Sequence, residues 1–573
     1  MVKILFYGFV VPEYDKRFYL STAGLVLKTF FDDTHELYKN DVEWHFHQEK
    51  LSDSGLINLC NEIQPDFLCT SNYIWNHDHI CRQLESVRSK LPENTLVISG
   101  GPSINVNIDD DFFTKYPFID YAVYGPGEYA ISDLIIHRIN NKKLLAMNTS
   151  NIGWWDREKN TKVVAEYKYV PISNSSYYLH NQEVFSSMVK EAQSKGYEPA
   201  VPFEMTRGCP YKCTFCDWNS GLSNKVSRKK SGYKDTIDLI HNLGIKYIYL
   251  ADANVGQYDE DIEIIEYFAD KNLNHNAGFI LDGNMSKLKK DNNLKIFKLF
   301  AKAKLVKPNG LVFSVQDTNR EVLNNIDRPD VSWEKHLELL HILNTEYPDI
   351  LTKVQLIQGL PGQTVATWKS TLEDVCRELA LPQVFVSEML AASPAARDPE
   401  YQKKFKFVYS NAQRIHIRKS ENQFYRGQIP ESCISFTKHD FAEMTILSHL
   451  YTGLQMFKAH LFRNSYGDID TIYLANKVIE TQLYTDLIEH LCDQWNNDKF
   501  YINQIYDFDF HLAAKAPKSA CEIVEQVFVG YRDYWKTLIK YLDNHEAKKL
   551  ATKIIVGQTE DHWKILEIGQ DYY

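Results

Sequence analysis

Along the first 140 residues, short apolar runs alternate with segments whose apolar positions recur at helical spacing. The pairs are 2–10 with 21–31, 66–70 with 77–90, 95–99 followed by a polar break, and 119–124 with 128–139. Such alternation predicts strands and crossover helices, hence a parallel sheet covered on both faces. From 141 to 200 the periodicity weakens and polar clusters such as Asn148-Thr149-Ser150-Asn151 and Ser173-Asn174-Ser175-Ser176 appear, so this stretch is expected to connect two domains. A second alternating series follows, with strand-like runs at 202–207, 246–252, 277–282, 310–316, 352–359 and 383–389 and helical segments between them at 259–271, 333–343 and 365–379. Beyond Ser393-Pro394 the chain turns mostly helical and aromatic, with apolar stripes over 440–461, 468–494 and 520–541. The expected organisation is α/β: a Rossmann-like domain at 1–140, a connection at 141–200, a partial (β/α)6 barrel at 201–395, and a mostly helical accessory domain at 396–573.

Composition narrows the class. With 573 residues, 44% apolar and 24% charged, the chain reads as a globular protein too long for one core. Its net charge of −11, from 64 basic and 75 acidic residues, argues against bulk nucleic-acid binding. Ten mostly isolated cysteines fit a reducing cytosol better than a disulfide framework. The apolar run 4–11 precedes Pro12-Glu13-Tyr14-Asp15-Lys16-Arg17 rather than a small-residue cleavage site, so it reads as a first buried strand. No apolar stretch reaches the length of a membrane span.

Three of the cysteines stand apart: Cys209, Cys213 and Cys216, at CxxxCxxC spacing. Three thiolates can bind three irons of a 4Fe–4S cluster and leave the fourth iron open to a substrate or cofactor. A zinc site or three core cysteines are the other readings. Zinc sites usually show a second CxxC or CxxH unit, and Cys60, Cys69, Cys81, Cys376, Cys433, Cys492 and Cys521 are scattered.

The segment Met205-Thr206-Arg207-Gly208-Cys209-Pro210-Tyr211-Lys212-Cys213-Thr214-Phe215-Cys216 closely resembles the signature of radical S-adenosylmethionine (SAM) enzymes. The resemblance implies a partial barrel, a 4Fe–4S cluster on the three cysteines, and SAM on the open iron, with Phe215 near the cluster and the adenine. Further elements follow in the family's order. Asp252 and Asn254 close the second strand, where relatives hold SAM's methionine end or the substrate. Ser314 and Gln316 close the fourth and resemble the ribose- and carboxylate-contacting pair. Gly359, Leu360, Pro361 and Gly362 open a turn similar to the family's GLPGET, in which Gln363 replaces the usual acid. Thr318 and Glu321 are expected to form a capping box for the following helix.

The first 140 residues also look like the cobalamin-binding domain that precedes the barrel in a large subclass of these enzymes, a resemblance that covers about residues 2–395 in all. Its phrases end successive strands: Thr70 and Ser71; Gly100, Gly101 and Pro102; and Gly125, Gly127 and Glu128. These loops would cradle the corrin and its nucleotide tail, as ligands of such sheets bind beyond the carboxyl ends of strands. The DxHxxG element that supplies a lower axial histidine in many cobalamin proteins is absent; His77 and His79 read as ordinary helix-start residues. The resemblance therefore implies a cobalamin-dependent radical SAM methyltransferase acting on a small molecule or peptide, served by an electron donor such as flavodoxin or ferredoxin in the cytoplasm. Two alternatives stand beside it: a cobalamin-dependent cyclase or rearrangement enzyme without methyl transfer, and a non-catalytic cobalamin or iron–sulfur sensor.

Overall fold

The computed structural model describes residues 1–9, 17–73, 76–104, 110–140, 149–218, 223–283, 285, 290–306, 310–390, 393–410, 413–418, 421–425, 429–463, 470–480, 482–496 and 501–503. The segment 12–16 and the helix expected over 520–541, with Cys521, Tyr531 and Trp535, lie outside them. Contacts divide the chain into two compact units, one of residues 1–211 with 217–253, the other of 212–216 with the residues from 254 onward.

The first unit begins with β1 (Val2–Tyr7), β2 (Arg17–Tyr19), α1 (Ala23–Thr34), β3 (Val42–His47), α2 (Asp53–Ile63), β4 (Phe67–Ser71), α3 (His77–Val87), β5 (Leu96–Gly100), α4 (Phe112–Lys115), β6 (Tyr121–Val123) and α5 (Glu128–Ile139). Its sheet runs β3-β1-β4-β5-β6, all parallel. Successive side chains of a strand point to opposite faces, and here both faces are apolar. Ile4, Phe6, Phe67, Cys69, Ile98 and Val123 pack with Phe31, Ile131 and Leu134, while Leu5, Tyr7, Leu68 and Val97 pack with Leu56, Ile80 and Leu84. Each large apolar side chain so buried contributes about 1.5–3 kcal/mol, which is why the helices are held on both sides. Strand order reverses between β1 and β4, so the ligand crevice expected of such a sheet opens there.

Residues 149–200, expected as a connection, are structured. β7 (Ile152–Asp156) and β8 (Thr161–Val164) extend the sheet antiparallel beyond β6. After them, α6 (Tyr177–His180) and α7 (Gln182–Ser194) lead into β9 (Glu198–Phe203). Tyr178 is fully buried and donates its hydroxyl to Pro202 O at 2.6 Å, so α6 fixes β9 from the side. In the polar cluster at 173–176, Ser176 N-caps α6, accepting from Leu179 N. β10 (Thr206–Arg207), β11 (Ser227–Arg228), α8 (Tyr233–Asn242) and β12 (Tyr247–Leu250) complete the unit. β9 pairs in parallel with β12 on one side and with β2 on the other.

The second unit carries α9 (Asp259–His275), β13 (Ile280–Asp282), α10 (Lys290–Lys302), β14 (Leu311–Gln316), α11 (Arg320–Asn325), α12 (Trp333–Glu346), β15 (Thr352–Gln358), α13 (Val365–Cys376) and β16 (Ala380–Val386). β14, β15 and β16 form a parallel sheet in that order. After α14 (Pro394–Arg397) and α15 (Pro399–Phe405) come strands where helices were expected: β17 (Val408–Ser410), β18 (Gln413–Arg418), β19 (Glu421–Tyr425) and β20 (Ile429–Ser432). The helical part follows as α16 (Lys438–Arg463), α17 (Thr471–Ile479) and α18 (Gln482–Asn496), before a last short strand β21 (Tyr501–Asn503). α16 packs on α13 and β16 through Phe441, Met444, Leu447 and Tyr451. Among the described residues no helix is long and apolar enough to cross a membrane.

Candidate active site

Backbone geometry just past β9 prepares the first motif cysteine. Asp252, two residues beyond β12, accepts from Met205 N at 3.1 Å and ties down the end of β9. β10 and β11 then pair antiparallel, and Gly208 follows with φ +94°. A Cβ there would sit 2.1 Å from Lys225 O, so only glycine lets the chain pass before Cys209. Arg207 is gripped by Glu204 through two bonds of 2.8 and 2.9 Å and by Glu128, and Tyr169 donates to Arg207 O at 3.1 Å. Burial opposes the guanidinium charge, yet the two carboxylates outweigh it and raise the Arg207 pKa.

The other two cysteines close a turn in the second unit, Cys216 N donating to Cys213 O at 3.1 Å. Thr214 is fixed on three sides: its N–H donates to Ile326 O at 3.1 Å, its carbonyl accepts from Ala395 N at 2.8 Å, and its hydroxyl meets Tyr401 OH at 3.0 Å. Tyr401 in turn donates to Asn325 O at 3.1 Å. Phe215 lies under the Arg328 guanidinium, 5.8 Å from its ring centroid, and Arg328 Nη2 donates to Ser314 O at 2.9 Å. Neither Arg328 nor Tyr401 could be singled out in the sequence, because each is defined by a partner more than a hundred residues away.

The thiols themselves divide into two classes. Cys209, Cys213 and Cys216 are each partly exposed, whereas Cys60, Cys69, Cys81 and Cys376 are buried. Burial pushes the thiols of Cys60, Cys69 and Cys81 up to about 12, and that of Cys376 upward as well. A thiol must lose its proton to ligate a metal, so burial disfavours these four; Cys433 and Cys492 are partly exposed like the motif trio but lie far from it in sequence. Among the described residues no three His, Cys, Asp or Glu side chains converge on one ion position. A 4Fe–4S cluster does not ask for that, since each thiolate binds a different iron.

The ends of β14 and β15 hold the remaining candidates. Ser314 donates to Gln355 Oε1 and Gln355 Nε2 to Gln383 Oε1 at 3.3 Å, a polar row at matching register across β14, β15 and β16. On β15 the even-numbered face is dry: Val354, Leu356 and Gln358 are buried, and Gln358 bonds Thr445 and Ser448 of α16. Gln355 and Ile357 on the opposite face, and Phe385 beside Ile357 on β16, are partly exposed. A bulge between Ser314 and Gln316 leaves Gln316 at φ +78° with its Oε1 buried and, among the described residues, without a hydrogen-bond donor. That oxygen can accept from a ligand N–H or O–H.

The turn at 359–362 is clamped from several sides. Gly359 has φ +91° and a Cβ there would meet the Phe441 ring at 2.7 Å; Gly362 has φ +99° and donates to Ser435 Oγ at 2.9 Å. Pro361 O accepts from Asn325 Nδ2 at 3.2 Å, and Gly359 N and Leu360 N both donate to Gln363 Oε1, at 2.7 and 3.0 Å. The capping box expected from Thr318 and Glu321 is not formed. Asn319 N-caps α11 instead, its Oδ1 accepting from Glu321 N and Val322 N, while Thr318 turns its hydroxyl to Asp374 at 2.8 Å. Asn254 Nδ2 donates to Gln257 Oε1 at 3.4 Å.

At the switch point of the seven-stranded sheet, Asn76 Nδ2 bridges the ends of β1 and β4 by donating to Phe9 O and Ser71 O at 3.0 and 3.1 Å. Thr70 Oγ1 lies 2.9 Å from Ser99 Oγ and accepts from Asn72 Nδ2 at 3.1 Å. Asn72 is fully buried, yet its Oδ1 has no donor among the described residues. The amide side chains of a corrin ring carry the N–H groups such an acceptor lacks, so this crevice fits the expected cofactor. Other loop residues have packing reasons. Gly101, at φ +101°, passes within 2.5 Å of Asn72 O, counted from a hypothetical Cβ, and Pro102 continues that turn into Ser103 N, which donates to Asn72 O at 3.1 Å. Gly100 and Gly127 pack on Val123, and Gly125 turns the chain at φ +67°. Glu128, expected among the cobalamin loops, is buried and belongs to Arg207. His77 hydrogen-bonds Tyr116 OH at 3.3 Å and His79 packs edge-on against Phe9, both inside the first unit.

Residues 203–375 match the family model of the Radical SAM superfamily. The chain is 29% identical over 311 residues to the cobalamin-dependent radical SAM methyltransferase TokK of Streptomyces tokunonensis, covering 54% of this chain and 44% of TokK. It is 22% identical over 360 residues to the anaerobic magnesium-protoporphyrin IX monomethyl ester cyclase of Cereibacter sphaeroides, covering 62% of this chain and 54% of the cyclase. The chain thus spans about half the length of these relatives. Among solved structures, the cobalamin-dependent SAM radical enzyme OxsB with aqua-cobalamin and SAM matches 97% of this chain and 84% of its own, with TM-score 0.58 and 15% identity. The radical SAM methyltransferase TsrM from Kitasatospora setae, with cobalamin and a 4Fe–4S cluster bound, covers 69% of this chain and 74% of its own at TM-score 0.52 and 12% identity. The chain therefore carries a radical SAM domain at residues 203–375, within a fold shared with solved cobalamin-dependent radical SAM enzymes.

Proposed function

We propose that this protein is a cobalamin-dependent radical SAM methyltransferase acting on a small molecule. The observation that carries the reading is the trio Cys209, Cys213 and Cys216: the partly exposed thiols of the signature, inside the matched segment, on loops the fold fixes residue by residue. Bound at these sites, a 4Fe–4S cluster supplies the electron that splits SAM into methionine and a 5′-deoxyadenosyl radical, and cobalamin supplies the methyl group. The chain's own residues bind and orient. Cys209, Cys213 and Cys216 hold the cluster, with Phe215 and Arg328 bracing their loop. Ser314, Gln316 and the turn at 359–362 hold SAM, Asp252 and Asn254 stand toward its methionine end, and the Gln316 acceptor receives a SAM hydroxyl. Thr70, Ser71, Asn72, Gly100, Gly101, Pro102, Gly125 and Gly127 line the cobalamin crevice.

The polar row Ser314, Gln355 and Gln383 across β14, β15 and β16 is neutral, which supports an uncharged, hydrogen-bonding substrate over a polyanion. Flavodoxin or ferredoxin would supply the electron in a reducing cytoplasm. The test is anaerobic reconstitution with iron, sulfide and cobalamin, followed by SAM and reductant. Formation of 5′-deoxyadenosine and S-adenosylhomocysteine supports the proposal; a full cluster with neither product refutes it.

Cyclisation or rearrangement without methyl transfer is the second reading, favoured by the alignment with the protoporphyrin ester cyclase over 62% of this chain. A product isomeric with its substrate, or hydrogen-poor, and formed without S-adenosylhomocysteine, would select it.

A further inference from the structure

Gln363 is fully buried and every polar atom of its side chain is used. Its Oε1 accepts from Gly359 N and Leu360 N, while its Nε2 donates to Asp317 Oδ2 at 2.6 Å and to Ile357 O at 2.9 Å. Asp317 is buried too. Its Oδ1 accepts from Asn319 N at 2.7 Å and Thr371 Oγ1 at 2.8 Å, leaving Oδ2 to Gln363. The radical SAM turn that this segment resembles carries an acid at this position. In this chain an acid there would keep the two turn bonds but face a second carboxylate across 2.6 Å, which cannot persist with both groups charged.

We infer that the Asp317–Gln363 pair positions the turn at 359–362 for SAM, and that residue 363 is a neutral amide because its partner already holds the negative charge. The inference rests on the proposed function in one respect, that this turn holds the adenine side of SAM. The pair is directional. Gln363 needs its oxygen toward the turn, so its nitrogen must find an acceptor at 317, and a flip would set its nitrogen against the N–H groups of Gly359 and Leu360. Burial raises the Asp317 pKa to about 6, against hydrogen bonds from Gln363, Asn319, Thr371 and Thr318 that lower it. Asp374, which bonds Thr318 next to Asp317 in the chain, pairs with Arg377.

The geometry allows a reciprocal exchange. In Asp317→Asn the amide oxygen can keep Asn319 N and Thr371, and its nitrogen can donate to a carboxylate at 363. The holoenzyme and the variants Gln363→Glu, Asp317→Asn and Asp317→Asn/Gln363→Glu are compared by SAM binding, by KM and kcat for SAM cleavage between pH 6 and 8.5, by iron content and by melting temperature. Gln363→Glu is expected to weaken SAM binding about tenfold or more, the equivalent of one like-charge contact of about 1.4 kcal/mol. That loss should shrink as pH falls, because one carboxyl of the pair then takes a proton. Asp317→Asn alone should weaken binding without that pH trend. The double variant should recover to within about threefold of the parent, short of full recovery because Ile357 O loses its donor. Unchanged SAM binding in Gln363→Glu at full iron content, or a double variant no better than its worse parent, would overturn the inference. If the unaltered protein binds no SAM, it is the proposed function that fails, and the exchange in melting temperature alone decides whether the pair is coupled.

Discussion

Arg328 places its guanidinium 5.8 Å from the ring centroid of Phe215 while its Nη2 donates to Ser314 O at 2.9 Å, so one buried cation joins the cysteine loop to the end of β14. Arg328→Met keeps the apolar stem and removes both contacts. The expected loss is about 2–4 kcal/mol of stability, from a cation–π contact and a charged hydrogen bond. SAM cleavage should slow by about tenfold or more as Phe215 loses its lid. Urea unfolding and the rate of 5′-deoxyadenosine formation check this, and a variant equal to the parent in both would dispose of it.

The two classes of thiol predict two kinds of variant. Cys213→Ala should lose bound iron and SAM cleavage together. Cys60→Ala and Cys376→Ala should keep full iron content and lose only packing, about 1–3 kcal/mol each. Iron and sulfide per chain, measured beside unfolding curves, separate the classes; iron loss in Cys376→Ala with the fold intact would break the distinction.

Glu128→Gln tests whether this residue serves Arg207 or a cofactor. Arg207 would keep Glu204 but lose one of two carboxylates in a buried setting, an expected cost of about 1–3 kcal/mol. Cobalamin binding, followed in the visible spectrum, should be unchanged. A variant of parental stability that no longer bound cobalamin would reverse the assignment.

Asp317 also predicts a pH trend. Its folded pKa, raised by burial from 3.8 to about 6, means that the native state holds its proton over a range in which the unfolded chain has released it. Stability attributable to this group is therefore greatest below about pH 4, falls as pH rises toward 6 and is flat above, a change of about 3 kcal/mol. Asp317→Asn lacks that term. Unfolding free energies of the two proteins between pH 4 and 7 should thus diverge in favour of the variant as pH rises; parallel curves would contradict the assignment.

Gly208→Ala should be the most damaging methyl in the first unit. Its Cβ would fall 2.1 Å from Lys225 O, at a φ that L-residues avoid. The backbone must move, and Cys209 moves with it. The expected outcome is a soluble but cluster-poor protein, read as reduced iron per chain beside an unaltered Gly196→Ala control, whose added Cβ meets nothing within 4 Å although it shares a positive φ.

What the sequence revealed and what it hid have a common cause. The cysteine motif, the strand-end glycines and the turn at 359–362 are local in the chain, and their residue types follow from chemistry or backbone need. Arg328, Asn72 and the Asp317–Gln363 pair take their meaning from partners brought close only by folding. Thr214 and Tyr401 are 187 residues apart. Some misses had a signal: β3 alternates Val42, Trp44 and Phe46 with Glu43, His45 and His47, the period of a half-buried strand. The N-cap was misplaced by one residue because Thr318 and Asn319 both suit it, and Thr318 bonds Asp374 instead.

β2 pairs residues 17–19 with residues 198–200 of β9, nearly two hundred positions downstream. Domain dissection by sequence boundary would therefore fail here in a specific manner. A fragment starting after residue 140 strips β9 of its neighbour and bares a row of unpaired amides, an invitation to self-association. The complementary fragment keeps a dangling three-residue strand with nothing to bind. Anyone wishing to study the cobalamin-type half alone should supply the missing partner strand, or accept that the two halves of the first unit are stitched together by their own amino terminus.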